Sequence, residues 1–157
     1  MANQVWLLRH GEAEPHDVRP DAERVLTERG EEQARAAGRA LAALGITFQA
    51  VYTSPKVRAR DTALLACEAL GEEPIVTPVL AEGFDVADLR DLLLGVEPDG
   101  RMLLVGHNPD FAQVVHDLTG ARVDFKKGGL AGVRLDGTGG ELLALLRPRE
   151  IDRIRAE

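Results

Sequence analysis

The sequence holds a single cysteine, Cys67, so no disulfide can form within the chain, and a reducing compartment, the cytoplasm, is the expected setting. No run comes near the roughly 18 to 20 apolar residues that span a bilayer. The stretch Met1-Ala2-Asn3-Gln4-Val5 has neither the basic start nor the apolar segment of a signal peptide, so no membrane partner is expected. Basic residues are in deficit: 19 Lys and Arg stand against 26 Asp and Glu, a formal charge of −7, which argues against nucleic acid as a partner. There is no Gly-x-x-x-x-Gly-Lys loop for a nucleoside-triphosphate engine, no Gly-x-Gly-x-x-Gly for a dinucleotide and no Asp-x-Asp pair. Internal repeats, low-complexity blocks and linkers are missing too.

What is present is enough apolar side chain, 45% of 157 residues, to fill one core, and a single domain over residues 1–157 is expected. Gln4-Val5-Trp6-Leu7-Leu8 reads as a buried strand. Ala34, Ala37, Leu41 and Leu44 fall at helical spacing between a Thr27 N-cap and a Gly45 stop. Phe48 to Thr53 reads as a second strand, with Ser54-Pro55 as cap and first-turn proline of a helix through about Leu70. Ile75-Val76-Thr77 is a short strand, Asp85 to Leu94 a helix and Arg101 to Gly106 another buried strand. Asn108-Pro109 opens a helix through about Leu118. Gly132 to Leu135 and Leu142 to Leu146 flank Gly137-Thr138-Gly139-Gly140 as a hairpin, and Arg147 to Glu157 is a polar tail with a helical pattern. Alternating strands and helices give an α/β layered domain with a mostly parallel sheet.

In such a sheet, ligands bind beyond the carboxyl ends of the strands. The first strand ends in Arg9-His10-Gly11, the second leads through Thr53-Ser54-Pro55 to Arg58, and the fourth ends in Gly106-His107-Asn108-Pro109. Two arginines and two histidines therefore gather at one edge of an acidic protein, next to helix starts that favour anions. A histidine there can ligate a metal, move a proton or attack phosphorus. Two permanent cations beside a divalent metal would need many carboxylates, whereas three phosphoryl oxygens balance them alone. The preferred reading is metal-free and cofactor-free phosphoryl transfer: neutral His10 attacks in line, Arg9, Arg58 and a protonated His107 hold the oxygens, and water then frees the phosphate.

Three motifs occur in order: Leu-Arg-His-Gly near the N-terminus, Ser54-Pro55-Lys56-Val57-Arg58-Ala59-Arg60-Asp61-Thr62-Ala63, and Val105-Gly106-His107-Asn108-Pro109. Together they resemble the histidine phosphatase superfamily, and Arg24-Val25-Leu26-Thr27-Glu28-Arg29-Gly30-Glu31-Glu32-Gln33-Ala34 is similar to the segment that family places after its first loop. The resemblance covers residues 4 to about 135. It implies a three-layer α/β/α, phosphoglycerate-mutase-like fold, with His10 as phospho-acceptor, Arg9, Arg58 and His107 as the phosphate pocket, and Arg24 touching substrate from the loop side. The short length and Lys126-Lys127-Gly128-Gly129-Leu130-Ala131 resemble the SixA-type phosphohistidine phosphatases, which implies a phosphorylated protein as substrate. Leu80-Ala81-Glu82 resembles the acid motif of larger members. Glu82 as general acid therefore keeps a second reading open, a phosphatase of small phosphorylated metabolites.

Blander readings attach to the remaining residues. His16 and His116 have no partner motif and are taken as structural or surface histidines; Lys126 and Lys127 read as a solvent-facing pair. Cys67 is followed six residues later by Glu73, not by the arginine a cysteine-dependent phosphatase needs, and reads as a core thiol. A non-catalytic domain that binds phosphorylated partners would be marked by loss of His10 or His107, and both are present. A mutase is disfavoured by the short chain.

Overall fold

The computed structural model describes residues 2–154. Six strands, β1 (Gln4–Arg9), β2 (Ala50–Thr53), β3 (Ile75–Val76), β4 (Arg101–Gly106), β5 (Leu130–Asp136) and β6 (Gly139–Leu146), form one sheet in the order β3-β2-β4-β1-β5-β6. The β3–β2, β2–β4 and β4–β1 pairs are parallel, while β1–β5 and β5–β6 are antiparallel, so β5 alone runs against the rest. The sheet is mostly parallel, as the alternation of elements predicts.

Alternate residues of the central strands feed two separate cores, as a period of two demands of a sheet covered on both faces. Val5 and Leu7 of β1 and Met102 and Leu104 of β4 point to one side. There they meet Leu89 of α3 (Val86–Leu93) and Phe111, Val114 and Leu118 of α4 (Asp110–Thr119). Trp6, Leu8, Leu103 and Val105 point to the other side. On that face lie Ala37, Ala40 and Leu41 of α1 (Glu28–Ala43), Ala59, Ala63 and Ala66 of α2 (Val57–Leu70) and Ile151 of α5 (Pro148–Ile151). The result is a three-layer α/β/α domain. Cys67 lies in the second core as a free, buried thiol, pushed up to about 11 by burial and by Glu72.

Local chemistry sets most boundaries. Thr27 caps α1 by accepting from Gly30 N at 3.1 Å, and Gly45 closes that helix at φ +74. Asp85 and Asp88 form a capping box at the start of α3. Two expected caps act differently. Ser54 does not cap α2, whose N-cap is Lys56; instead Ser54 Oγ accepts from Lys56 N at 3.1 Å, tightening the turn before the helix. Asn108 accepts from Ala112 N at 3.1 Å, but α4 itself begins at Asp110. β2 is shorter than expected because Phe48 packs into the second core before the ladder starts. In the hairpin, β5 and β6 extend to Asp136 and Gly139, leaving Gly137-Thr138 as a two-residue turn with Gly137 at φ +60. The tail forms only the short helix α5, and the last three residues of the expected tail lie outside the described residues.

Candidate active site

Register brings the two histidines together. Arg9 of β1 pairs with Gly106 of β4, so His10 and His107, each one residue further on, emerge side by side with ring centroids 5.3 Å apart. Thr53 pairs with Val105, which puts Ser54 level with the same edge. The backbone continues the ladder past the strands, from His10 N to Gly106 O at 3.1 Å and from Ser54 N to Val105 O at 3.0 Å. Arg58, second residue of α2, reaches the same point from below. Together with Ala13, His16, Arg24, Asn108 and Lys127, these side chains line a pocket of about 200 Å³.

His10 is 7% exposed, and its Nδ1 stands 2.7 Å from the Gly11 carbonyl. A carbonyl only accepts, so Nδ1 carries the proton and the Nε2 lone pair is left free. Burial foremost, with His107, Arg58 and Arg9 adding repulsion, lowers His10 to about 3, against the weaker opposing pull of the Gly11 carbonyl. The ring is therefore neutral at working pH. His107, 8% exposed, has Nε2 at 2.8 Å from Ser54 Oγ and is likewise lowered to about 3, by burial first and then by Arg58 and Lys56. Asp21 opposes this lowering but does not outweigh burial and the cations, so a protonated His107 calls for further negative charge beside it.

Among the described residues, three buried side-chain nitrogens have no hydrogen-bond partner: Arg9 Nε, Arg58 Nε and His107 Nδ1. Each is delivered by a different one of the three strand-end segments. Buried polar atoms left in that state are destabilising by about 1–3 kcal/mol apiece, a debt that an oxyanion in the pocket would remove. The remaining reach of the arginines is fixed by the protein, with Arg9 Nη1 donating to Phe125 O at 2.7 Å and Arg58 Nη1 to Asp21 O at 2.7 Å.

Glycine sets the shape of the nucleophile's turn. A Cβ on Gly11 would run into the carbonyl of Gly30, and one on Gly30 into the carbonyl of Glu12, so the start of α1 sits directly on the loop after His10. Thr62 Oγ1 accepts from Gly11 N at 3.1 Å while donating to Arg58 O at 2.7 Å, tying α2 to the same turn. From the other side Gly128, at φ +76, donates to the carbonyls of Arg9 and His10 at 3.1 and 2.9 Å. The Lys126–Gly129 segment is thus a clamp on the β1 end, and this places Lys127 at the pocket.

The loop-side residues behave less simply. Arg24 does line the pocket, but its Nε and Nη2 are bound to Asp21 Oδ1 at 3.2 and 3.0 Å and its Nη1 to Glu14 O at 2.7 Å. Asp21 went unnoticed in the sequence because no motif contains it. Its carboxylate also meets Lys56 Nζ at 3.0 Å and Arg58 Nη2 at 3.3 Å. The Lys56 hydrogen bond above all, with help from Arg24 and Arg58 and against its partial burial, holds Asp21 well below the usual carboxylate range. His16, read as a surface histidine, lies at the pocket mouth, 3.9 Å from Asp21 Oδ1. His116 fits its surface reading, half-exposed beside Asp117.

Glu82 is the residue the structure does not bring in. Its side chain is 85% exposed, does not line the pocket and pairs with Lys56 Nζ at 3.5 Å. The three-residue 3-10 turn at Pro78–Leu80 and the bend after it leave the Glu82 carboxylate at the surface beside Lys56. Among the described residues no three His, Cys, Asp or Glu side chains gather in a metal-binding group, and no helix is long and apolar enough to cross a membrane.

Comparisons with known proteins agree with this geometry. The model of the histidine phosphatase superfamily (branch 1) matches residues 5–89. An uncharacterized protein of Picosynechococcus sp. is 34% identical over 139 residues, 83% of this chain and 84% of that protein. A 2,3-bisphosphoglycerate-dependent phosphoglycerate mutase of Parvibaculum lavamentivorans is 38% identical over 78 residues, which is 48% of this chain but only 37% of the mutase. Among solved structures, that of the protein histidine phosphatase SixA complexed with tungstate superposes with a TM-score of 0.83 at 26% identity, covering 94% of this chain and 99% of that one.

Proposed function

The chain belongs to the histidine phosphatase superfamily, a membership that supports phosphatase activity, and we propose that it hydrolyses protein phosphohistidine through a phospho-His10 intermediate. The observation that carries this reading is the set of buried nitrogens without a hydrogen-bond partner among the described residues, Arg9 Nε, Arg58 Nε and His107 Nδ1, around a neutral imidazole with its Nε2 lone pair free. Neutral His10 attacks phosphorus, and the bond to the leaving group breaks as the phosphoryl charge spreads toward Arg9 and Arg58. An arriving phosphoryl dianion reverses the field at His107, which then takes up a proton and donates from Nδ1. Water later attacks phospho-His10 and releases orthophosphate. The arginines supply the positive charge, so the proposed route uses no metal and no cofactor, and it is set in the cytoplasm, where Cys67 stays a thiol.

Phosphohistidine is favoured over a phosphomonoester because Glu82 lies outside the pocket. A protonated imidazole leaves as a neutral ring and needs no acid, whereas an alkoxide does. The similar SixA structure holds tungstate, a tetrahedral oxyanion of the shape the pocket would accept. In this scheme Arg24 holds the loop through Asp21 and Glu14 and keeps spare N–H groups for the substrate. The test is a turnover panel of phosphohistidine protein, sugar phosphates and nucleotides with chelator present, together with an alkaline denaturing quench to trap phospho-His10, whose P–N bond is stable in base and labile in acid. Activity abolished by chelator, or a phosphoenzyme that still forms in His10→Ala, would overturn the mechanism.

A further inference from the structure

Beside the catalytic pocket runs a second, larger groove of about 680 Å³. Its walls carry six cations, Arg9, Arg29, Lys126, Lys127, Arg147 and Arg149, against two carboxylates, Glu12 and Asp124. In a chain of net charge −7 such a concentration needs a cause. Some of it is met internally: Asp124 pairs with Lys126 at 2.9 Å, and Glu150 holds Arg147 at 2.8 Å and stands 3.7 Å from Arg149. Lys127 has no carboxylate within 4.0 Å among the described residues, and Arg29 and Arg149, each 75% exposed, have contacts no closer than 3.7 Å. The groove is continuous with the site, since Arg9 and Lys127 line both hollows.

We propose that this groove is the docking surface for the acidic face of a protein that carries the phosphoryl group to His10. The inference rests on the phosphatase reading above and names the partner's chemistry. A small phosphorylated metabolite is accommodated within about 200 Å³, but the body of a larger carrier whose phosphoryl enters that pocket must lie over the adjoining surface. The overall field of this protein repels an acidic partner; in the groove the balance of charged side chains is reversed next to the pocket, so it fixes orientation as well as affinity. Four chain segments build it, the loop at Glu12, the first turns of α1, residues 124–127 and the start of α5, giving a broad surface rather than a single anion niche.

The experiment uses the double charge reversal Arg29→Glu/Arg149→Glu, whose sites are exposed and lie outside the catalytic pocket. Three substrates are compared at low salt: a histidine-phosphorylated carrier with glutamates around its phosphohistidine, the same carrier with those glutamates changed to glutamine, and free phosphohistidine. The expected result is a loss of about tenfold in kcat/KM on the acidic carrier, mainly through KM, with the other two within about twofold of wild type. An equal loss on all three, or none on the acidic carrier, overturns the docking role. Competition by pyrophosphate that disappears in the variant, with carrier turnover unchanged, assigns the groove to small polyanions instead. Failure of the wild-type protein to turn over free phosphohistidine or either carrier sinks the underlying phosphatase reading, a result distinct from these.

Discussion

The two walls of the catalytic pocket are built on different principles. The sheet wall presents Arg9, His10 and His107 from strand ends fixed by ladder register, with Arg58 from the first turn of α2 and Ser54 buried behind His107. The loop wall, from Glu12 to Arg24, is held by charge: Asp21 alone binds Arg24, Lys56 and Arg58. One wall is set by backbone hydrogen bonds that survive a change of side chain; the other, anchored to the chain at Ala13 and Leu26, is tied to the pocket by ion pairs that a single substitution weakens. Chemistry is therefore expected to reside in the first wall and access in the second.

The largest expected effect tests the sheet wall directly. His10→Ala should lower kcat by about 10⁴-fold or more with the fold intact, as read by single-turnover assay and circular dichroism. Arg58→Ala should lower kcat/KM by about 10²–10³-fold, with Arg58→Lys recovering only part, since lysine keeps the charge but not the fork. Substantial activity in Arg58→Ala would transfer the phosphate-holding role to the loop wall and erase the contrast.

The pH dependence sharpens the same point. Both pocket histidines are lowered from 6.5 to about 3 in the folded protein. Between those values the unfolded chain binds more protons, so folding stability is full above about 6.5 and is lost as pH falls toward about 3. Thermal unfolding midpoints should fall over that window, less so in His10→Ala. The kcat/KM profile should show no ascending limb at imidazole's ordinary 6.5, and a limb there would mean that His10 is not held neutral.

On the loop wall, Asp21→Asn removes the internal counter-anion of Arg58. Orthophosphate should then inhibit about three- to tenfold more tightly, while the unfolding free energy drops by no more than about 1 kcal/mol, because the carboxylate is half exposed. Weaker phosphate inhibition would show that Asp21 organises the site and does not compete with its ligand. Smallest of all, Glu82→Gln should leave turnover of phosphohistidine within about twofold of wild type, since a rim ion pair contributes little. A collapse on phosphomonoesters alone would restore the acid role and the metabolite reading.

The same division explains what could be read from the sequence. Strand ends, the caps at Thr27 and Asp85, the Gly45 stop and the hairpin turn follow from local rules, and His10, Arg9, Arg58 and His107 follow from strand ends plus motif. Ser54 was misassigned because a serine before a proline resembles a helix cap, while its hydroxyl is turned toward His107. Asp21 belongs to no motif, and His16 reads from sequence only as a surface histidine, since both come to the pocket region through the path of an irregular loop. Glu82 shows the converse limit: a local motif carries no information about whether its loop bends inward, and here the carboxylate is 85% exposed beside Lys56.

The close approach of Gly11 and Gly30 limits how this protein can change. Neither position bears a reactive group, yet a side chain at either one collides with main chain, and the obstacle is an atom that every amino acid possesses. Ordinary overpacking can be relieved by trimming a neighbour's side chain, but the obstacles here are the main chain of Gly30 and of Glu12, which no side-chain change removes. Substitution at one has no second-site remedy at the other, so both should prove as intolerant in a saturation screen as the nucleophile itself.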